Sequence, residues 1–366
     1  MLYNNDFYLA SAGAGKTTMI AQYSVDNPHL KILLTTYTSE NTVLLQKSIR
    51  GINGIQPKNV TVMSWFSFLL SECIRPYQNF VYDSARIENL HFIPYISAKF
   101  KSRTDIKRFY LSDNSHIYSD KMSDFVCRCN DTSKGLVIKR LEQLFDVFIL
   151  DETQDISGWD FEFIELLIKS KIKVIMVGDV RQRTYSTSQS TKNKKYSDNL
   201  CLWFEELQKK GLGTVKWLNQ SYRCIQTICD FANDIFPNFP RTQSLNTTIA
   251  PHQGIYTIKS DSLQRYYELY QPQILVHDKR SANKAQGLPV SNYGIVKGQT
   301  YNHVVIVPTK PIEKYLCSGN IAEVESGKER FYVAITRARY SVAFLTSCTP
   351  TIPCLSNWEC PHSEEV

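Results

Sequence analysis

The sequence lacks several features that would assign it to a well-defined class of protein. No apolar run in its 366 residues approaches the roughly 20 positions that a helix needs to span a bilayer, so we expect no membrane segment. The opening residues, MLYNNDFYLA, have neither a basic segment nor a cleavage site, so we expect no secretory signal. Ten cysteines at scattered spacings predict reduced thiols in a cytoplasmic protein rather than a disulfide framework.

Metal-site spacings are also missing. Cys348, Cys354, Cys360 and His362 lie near the C-terminus without a C-x₂-C pair, and the two thiols of Cys127-Arg128-Cys129 are too close for ordinary tetrahedral ligation. Free thiols are therefore the favoured interpretation, with zinc as the alternative. The net charge of +7 permits a nucleic-acid partner but does not require one.

Short apolar runs, rich in β-branched residues, alternate with helix-length amphipathic segments. The first set of predicted strands is Phe7–Ala10, Ile32–Thr36, Val60–Met63, Val147–Leu150 and Val174–Val177. The second set is Val215–Leu218, Ile255–Ile258, Gln273–Val276, Val304–Val307 and Val342–Thr346. Near-continuous apolar runs are typical of strands buried on both faces of a parallel sheet. The alternation therefore predicts an α/β fold with two parallel-sheet cores.

The same pattern divides the chain. We expect a first domain over residues 1–198 and a second over 199–366. Residues 75–135 are polar, aromatic and basic, and we interpret them as a mostly helical insertion in the first domain. The segment Thr184–Asn199 has few apolar residues, which predicts an exposed, mobile loop.

A glycine-rich segment, ASAGAGKTT, follows the first predicted strand and opens a helix, as a phosphate-binding loop does. Small residues allow backbone amides to close around the β-phosphate, and the helix N-terminus favours anions. In such a loop Lys16 bridges the β- and γ-phosphates and the Thr17 hydroxyl is a ligand of Mg²⁺. The predicted phosphate-binding residues are Gly13, Ala14, Gly15, Lys16, Thr17 and Thr18.

Two adjacent carboxylates end an apolar run, in the sequence DETQD. The carboxyl ends of strands are where open α/β sheets bind ligands. We expect Asp151 to hold Mg²⁺ through water and Glu152 to act as the general base toward an attacking water. Acidic loops after strands are equally common as helix caps, and the upstream phosphate loop is what favours hydrolysis.

A nucleotide hydrolase also needs groups that stabilise negative charge on the γ-phosphate. Gln182 follows a predicted strand in GDVRQ, while Arg223 lies in QSYR and Arg337 in FYVAITRAR. Each arginine taken alone is more often a surface or ion-pair residue. All three are nevertheless candidates for this role.

Taken together, the motifs resemble those of a known family. ASAGAGKTT, DETQD, GDVRQ, QSYR, VKGQTYNHVVI and FYVAITRAR occur in the order found in superfamily 1A, the UvrD/Rep/PcrA-like DNA helicases. TTYTSENTVLLQKSI and VMSWFSFLL are similar to two further motifs of that family. The resemblance implies two RecA-like domains that bind ATP and Mg²⁺ between them and move 3′ to 5′ along single-stranded DNA.

The resemblance also assigns roles to individual residues. Lys16, Thr17, Asp151 and Glu152 match the family's phosphate, Mg²⁺ and base positions. By the same resemblance, Gln182 is the γ-phosphate sensor, and Arg223 and Arg337 are the arginine fingers. The resemblance also places Tyr222 against adenine and Gly298 among the nucleotide-binding residues. The DNA-binding candidates are Tyr37, Thr38, Ser64, Trp65, Phe66 and Tyr185.

Several positions depart from the family pattern. No adenine-reading glutamine motif precedes the phosphate loop within this sequence, which leaves selectivity for ATP over GTP open. Thr300, Gly294 and Thr187 stand where the family usually has a ribose-contacting Glu, a His and a base-stacking aromatic residue. The 1B-like insertion is short, and the interval from Arg223 to Lys297 leaves no room for a large 2B domain.

A compact motor of this kind resembles the helicase subunits that accompany OLD-type nucleases in anti-phage systems such as Gabija. The resemblance therefore implies a nuclease partner in addition to single-stranded DNA. An alternative interpretation is a nucleotide-sensing regulatory ATPase subunit that gates a partner without processive unwinding.

Overall fold

The computed structural model describes residues 4–93, 95–184, 187, 190–294 and 296–360, which form two compact units. The first unit comprises Met1–Ala10, Lys16–Val180 and Tyr185–Trp217. The second comprises Ser11–Gly15, Arg181–Thr184 and Leu218–Val366. The glycine-rich loop therefore makes most of its contacts in the second unit, although the strand before it and the helix after it belong to the first.

The first unit is built around a parallel sheet. Its strands are β1 (Asp6–Ala10), β2 (Ile32–Thr36), β3 (Val60–Ser64), β4 (Asn89–His91), β5 (His116–Tyr118), β6 (Val147–Asp151), β7 (Lys173–Gly178) and β8 (Thr214–Leu218). Its helices are α1 (Lys16–Asp26), α2 (Ser39–Asn53), α3 (Trp65–Phe68), α4 (Ile106–Tyr110), α5 (Met122–Thr132), α6 (Leu136–Leu144), α7 (Asp160–Ile168), α8 (Lys194–Asp198) and α9 (Leu200–Lys209). The main sheet has the order β3-β2-β6-β7-β1-β8.

The position of β8 corrects one prediction. We assigned Val215–Leu218 to the second set of strands, but it lies beside β1 at the edge of the first sheet. Trp203 and Phe204 of α9 are likewise fully buried in the first core, where Phe204 stacks on Phe7 at 5.0 Å. The first unit therefore continues past Asp198, where we predicted that the domain would end.

The insertion over residues 75–135 is helical only in part. Its two short strands β4 and β5 pair in parallel as a separate sheet. Much of the remainder consists of turns, with α4 and α5 as the regular helices. Within the segment Thr184–Asn199, which we predicted to be an exposed loop, Lys194–Asp198 forms the helix α8.

An aromatic cluster fills the core beneath α3. Trp65 is fully buried and lies within about 6 Å of Phe68, Phe148 and Phe163, measured between ring centroids. Its indole nitrogen donates a hydrogen bond to the buried carboxylate of Asp160 at 3.2 Å. A polar partner at the ring nitrogen is what allows a tryptophan to be buried so completely.

A second parallel sheet organises the second unit. Its strands are β9 (Gln220–Ser221), β10 (Gln243–Ser244), β11 (Gly254–Ile258), β12 (Gln273–Val276), β13 (Val290–Asn292), β14 (Tyr301–Ile306), β15 (Ala338–Leu345) and β16 (Leu355–Asn357). Its helices are α10 (Gln226–Ile235), α11 (Leu263–Tyr270), α12 (Lys310–Ser318) and α13 (Lys328–Ile335). The sheet order is β13-β12-β14-β15-β11-β16, and the short strands β9 and β10 pair separately. The predicted fold, α/β with two RecA-like parallel sheets, is confirmed.

One covalent cross-link differs from expectation. Cys317 and Cys348 form a disulfide, so the prediction of free thiols is wrong for this pair. Cys348 was also among the zinc candidates. Cys354 is a free thiol, and His362 lies outside the described residues. Among the helices of the described residues, none combines the length and the hydropathy that crossing a bilayer requires.

The burial of Trp65 predicts a large difference between two neighbouring aromatic residues. Trp65→Ala should lower the free energy of unfolding of the first unit by about 3–5 kcal/mol, because it leaves a cavity and removes one hydrogen-bond donor from the buried Asp160 carboxylate. Phe66→Ala, at a half-buried position, should cost less than half as much. Urea unfolding followed by circular dichroism measures both, and equal losses would contradict the core position of Trp65.

Candidate nucleotide and nucleic-acid site

The glycine-rich loop has no room for a side chain at its first glycine. Gly13 has a φ of +75°, and a Cβ there would lie 2.6 Å from Ser221 Oγ and 2.7 Å from Arg223 Cβ. Its carbonyl oxygen accepts a hydrogen bond from the backbone amide of Tyr222 at 2.9 Å. The loop backbone and the QSYR segment therefore pack directly against each other within the second unit.

Hydrogen bonds fix the start of the loop as well. The amide of Ser11 donates to the carbonyl of Leu218 at 2.9 Å, and the amide of Ala12 donates to the Tyr332 hydroxyl at 3.3 Å. The Ser11 hydroxyl accepts from the Thr242 hydroxyl at 2.7 Å. Side chains from separate parts of the second unit thus hold the loop in place.

Arg181 is a functional candidate that the sequence analysis missed. Its side chain is buried, and it donates to Ser11 Oγ at 3.0 Å and to the carbonyl of Pro240 at 2.8 Å. The guanidinium also lies 5.4 Å from the centre of the Phe239 ring. The signal was available, because Arg181 precedes the predicted sensor in GDVRQ, but a lone arginine gives no sign that it is buried.

The predicted sensor and one predicted finger are in direct contact. Arg337 Nη2 donates to Gln182 Oε1 at 3.0 Å, and both side chains are buried in the second unit. Arg337 also donates through Nε to the carbonyl of Val333 at 3.1 Å and through Nη1 to that of Gln299 at 3.3 Å. These contacts give the guanidinium a defined orientation.

The second predicted finger is linked to the same helix end. Arg223 Nη1 donates to the carbonyl of Thr336, the neighbour of Arg337, at 2.9 Å. The neighbouring Cys224 is buried, and a hydrogen bond from Cys229, with smaller contributions from the charges of Arg223 and Arg337, lowers the pKa of its thiol against the effect of burial.

Two further predicted nucleotide contacts lie in the second unit. The Tyr222 ring is 62% exposed, and its nearest atoms are 3.6 Å from where a Cβ on Gly15 would be. An exposed ring next to a phosphate loop can stack on a base. Gly298 is exposed, with a φ of +88°, and its neighbour Gln299 is a carbonyl acceptor for Arg337.

The rest of the predicted phosphate site opens α1 in the first unit. Lys16 is the first residue of this helix, and Lys16 and Thr17 are partly exposed while Thr18 is exposed. The first amides of a helix have no partner within the helix and favour an anion. The predicted position of these three residues at a helix N-terminus is therefore observed, and their roles remain predictions.

The acidic strand end has an unusual backbone. Asp151 ends β6 and is buried, and its Oδ1 accepts a hydrogen bond from the amide of Glu152 at 2.9 Å. Glu152 adopts a φ of +56°, which non-glycine residues adopt at a cost of about 1 kcal/mol or more. Such strain is typical of functional positions, because the surrounding structure must hold the residue there.

Gln154 holds Glu152 in place. Its Nε2 donates to Glu152 Oε2 at 2.5 Å, and its Oε1 accepts from the amide of Asp179 at 3.0 Å. A Cβ on Gly178 would lie 2.7 Å from this same Oε1, so a larger residue there would displace the Gln154 side chain. Gln154 therefore connects the Glu152 carboxylate, which is the proposed base, to the residue that follows β7.

The predicted strand-binding residues occupy different environments. Thr38 caps α2 by accepting from the amide of Asn41, and Ser64 caps α3 by accepting from the amide of Ser67. The Tyr37 ring lies 6.0 Å from that of Trp65, and burial raises the pKa of the Tyr37 hydroxyl. Both caps and Tyr37 follow the carboxyl ends of β2 and β3, where open sheets bind ligands.

Trp65 must be removed from this group. It is fully buried in the first core, so its ring has no face available for a base. Phe66 remains half-buried and makes an edge-to-face contact with the exposed Phe92 at 5.6 Å. Tyr185 lies outside the described residues.

The residues present fit a nucleotide with Mg²⁺. Left-handed glycines at positions 13 and 15 give the loop the backbone form of an anion-binding concavity. The Thr17 hydroxyl and the Asp151 carboxylate are oxygen ligands of the kind that Mg²⁺ prefers. Thr17 and Asp151 would hold the ion, and residues 13–18 would hold the phosphates.

One comparison with known proteins identifies a family for this chain. A family model described as the viral superfamily 1 RNA helicase core domain matches residues 113–346, which is more than half of the chain. Two solved structures of arterivirus nonstructural protein 10, a helicase, are similar: one of the protein itself at 14% identity and a TM-score of 0.43, and one of its complex with DNA at 12% and 0.45. They match 93% and 94% of this chain, which spans 59% and 61% of their own chains. No curated protein sequence matches.

Two glycines of the loop make a matched pair for mutation. Gly13→Ala and Gly15→Ala incur the same left-handed strain, since both have a φ of +75°, but only the Cβ at position 13 overlaps its neighbours. Gly13→Ala should therefore cost about 1–3 kcal/mol more in the free energy of unfolding of the second unit and should weaken nucleotide binding further. Denaturant unfolding and calorimetric titration with a nucleotide measure the two effects. Equal losses in both variants would show that the packing against Ser221 and Arg223 is unimportant.

Proposed function

We propose that this chain is a nucleoside-triphosphate-driven motor on single-stranded nucleic acid, because it belongs to the family of viral superfamily 1 RNA helicase core domains. The observation that carries this proposal is the contact between Gln182 and Arg337, which lies in the same unit as the loop Ser11–Gly15. A phosphate loop, a buried glutamine and two oriented arginines are the parts that hydrolysis of a γ-phosphate requires.

The chain's own residues divide the work of hydrolysis. The amides of residues 13–18 and the Lys16 ammonium bind the phosphates, and Mg²⁺ held by Thr17 and Asp151 would offset charge on the β- and γ-oxygens. Glu152, oriented by Gln154, accepts the proton of the attacking water. Gln182, Arg337 and Arg223 stabilise the charge that develops on the transferred phosphoryl group.

The nucleic-acid partner would contact the carboxyl ends of β2 and β3. Exposed or half-buried groups there include Thr38, Ser64 and Phe66. Stacking on an aromatic ring and hydrogen bonds to phosphates are independent of base sequence, at about 1–3 kcal/mol per stacked base. Neither contact depends on the 2′-hydroxyl, so DNA and RNA are both substrates to be measured.

Three finer assignments rest on the motif resemblance alone. They are membership of the UvrD-like branch, movement from 3′ to 5′ on DNA, and a place beside an OLD-type nuclease in anti-phage defence. ATP as the nucleotide belongs with them, and a cytoplasmic location rests on the cysteine spacing alone. Purification of the native complex decides the nuclease assignment, since a chain recovered without a nuclease subunit would count against it.

A second function is favoured by one observation. Thr187 stands where the UvrD-like motif has a base-stacking aromatic residue, and its hydroxyl donates to the buried Asp160. A position that faces a buried carboxylate cannot stack on a base. The alternative is therefore a nucleotide-sensing regulatory ATPase subunit that changes state on hydrolysis and gates a partner.

Three substitutions separate binding from hydrolysis. Lys16→Ala should weaken nucleotide binding, whereas Glu152→Gln should keep binding and lower turnover by about 10²–10⁴-fold, because it removes the base. Arg337→Ala should lower turnover by about 10³-fold or more with a smaller effect on affinity, since its charge acts mainly in the transition state. Arg265→Ala, on the exposed side of α11, is the arginine control. Titration with a nucleotide measures binding, and steady-state phosphate release measures turnover. Equal loss of binding in all three substitutions would contradict the assigned roles.

The direction of movement and the dependence of turnover on nucleic acid form a separate test. Single-stranded DNA should stimulate turnover, and a duplex with a 3′ single-stranded tail should be displaced in preference to one with a 5′ tail. Matched RNA substrates decide between the two nucleic acids. Displacement from the 5′ tail would reverse the proposed direction, and turnover indifferent to either nucleic acid would favour the regulatory function.

A further inference from the structure

One buried carboxylate in the first unit joins four separate segments. Asp160, the first residue of α7, is 5% exposed. Its Oδ1 accepts hydrogen bonds from Trp65 Nε1 at 3.2 Å and Ser123 Oγ at 2.5 Å. Its Oδ2 accepts from Thr187 Oγ1 at 2.5 Å and from the amide of Ser157 at 3.3 Å. All five residues belong to the first unit.

Three of the four donors come from segments with a proposed part in function. Trp65 follows Ser64, in the segment proposed to contact the strand. Ser157 follows the acidic sequence that carries Asp151 and Glu152. Thr187 lies five residues after Gln182, the predicted γ-phosphate sensor. The fourth donor, Ser123, comes from α5 and carries no such role.

With Asp160 ionised, the hydroxyl groups allow only one arrangement of protons. Thr187 Oγ1 gives its single hydrogen to Asp160, so the 2.8 Å contact between Ser157 Oγ and Thr187 Oγ1 must have Ser157 as donor. The amide of Thr187 also donates to the carbonyl of Asp155 at 3.1 Å. Thr187 is therefore bound both to the loop after the acidic residues and to the carboxylate.

The arrangement also explains why a carboxylate is retained in the core. Burial raises the pKa of Asp160, while the hydrogen bonds from Ser123, Thr187, Ser157 and Trp65 oppose that shift. A position at the N-terminus of α7 favours the negative charge further. A carboxylate has lone pairs for all four donors at once, whereas a hydroxyl or an apolar side chain would leave several of them unpaired.

We propose that Asp160 is a positioning residue that couples the strand-contacting segment to the two hydrolytic loops, with Thr187 as its link to the loop after Gln182. The proposal rests on the function proposed above and adds a means by which nucleic acid bound near Ser64 alters hydrolysis. Movement of α3 changes the hydrogen bond to Oδ1, and the shared carboxylate transmits that change to Ser157 and Thr187.

Isosteric variants test the coupling. Thr187→Val removes the hydroxyl that donates to Oδ2 and accepts from Ser157 Oγ, and it should reduce the stimulation of turnover by single-stranded nucleic acid about tenfold while basal turnover stays within about twofold. Thr187→Ser, which restores the hydroxyl, should keep the stimulation. Ser123→Ala is the matched control, because it removes a donor to the same carboxylate from a segment without a proposed role. Asp160→Asn, which replaces one acceptor oxygen with a donor, should lose at least as much stimulation as Thr187→Val. Equal loss in Thr187→Val and Ser123→Ala, or no loss in either, would overturn the proposal.

Amide hydrogen exchange separates this proposal from the proposed function. If the wild-type protein shows no stimulation by nucleic acid, the motor function fails, but the coupling is still decided by exchange. Thr187→Val should accelerate exchange in the peptides that contain Trp65 and Ser157, relative to both the wild-type protein and Ser123→Ala. Unchanged exchange in those two peptides would overturn the coupling whatever the turnover assay shows.

Discussion

The absence of space at Gly13 is the constraint on which the second unit depends. Its Cα lies against Ser221 and Arg223, so the loop backbone must follow the QSYR segment closely. The backbone of β1 explains a departure from the usual phosphate-loop sequence. Ala10 stands where the general pattern begins with glycine, and it is the buried last residue of β1, without a positive φ. Extended backbone accepts alanine, so the requirement for glycine falls on positions 13 and 15.

Much of the fold could be predicted because buried parallel strands have a simple sequence signature. Ile32–Thr36 and Gln273–Val276 have the predicted bounds, and the runs before and after the DETQD sequence are strands as expected. A strand covered by helices on both faces needs apolar side chains at nearly every position, and few other elements share that pattern. Local composition was therefore sufficient to locate these strands.

Other features depend on contacts between distant residues, which local patterns do not contain. The run Val215–Leu218 identifies a strand but not its neighbour, and the structure places it beside β1. Trp65 follows a strand end as a ligand-binding aromatic would, yet Asp160 supplies the partner that allows it to be buried. Arg181 is buried because Ser11 and Pro240 accept its hydrogen bonds, and Cys317 pairs with a cysteine 31 residues away. Each outcome needs the partner's position as well as the residue's own type.

The two sheets have the same strand order, yet the chemistry is not duplicated. In the shared order β6 corresponds to β14 and β1 corresponds to β11. β6 ends in Asp151 and is followed by Glu152, whereas β14 is followed by the apolar Val307 and by Pro308. β11 is followed by Lys259 rather than by a glycine-rich loop. One sheet thus carries the carboxylates and the other unit carries the oriented arginines. The repeated strand order therefore does not repeat the chemistry, because the residues that follow the strand ends differ between the two units.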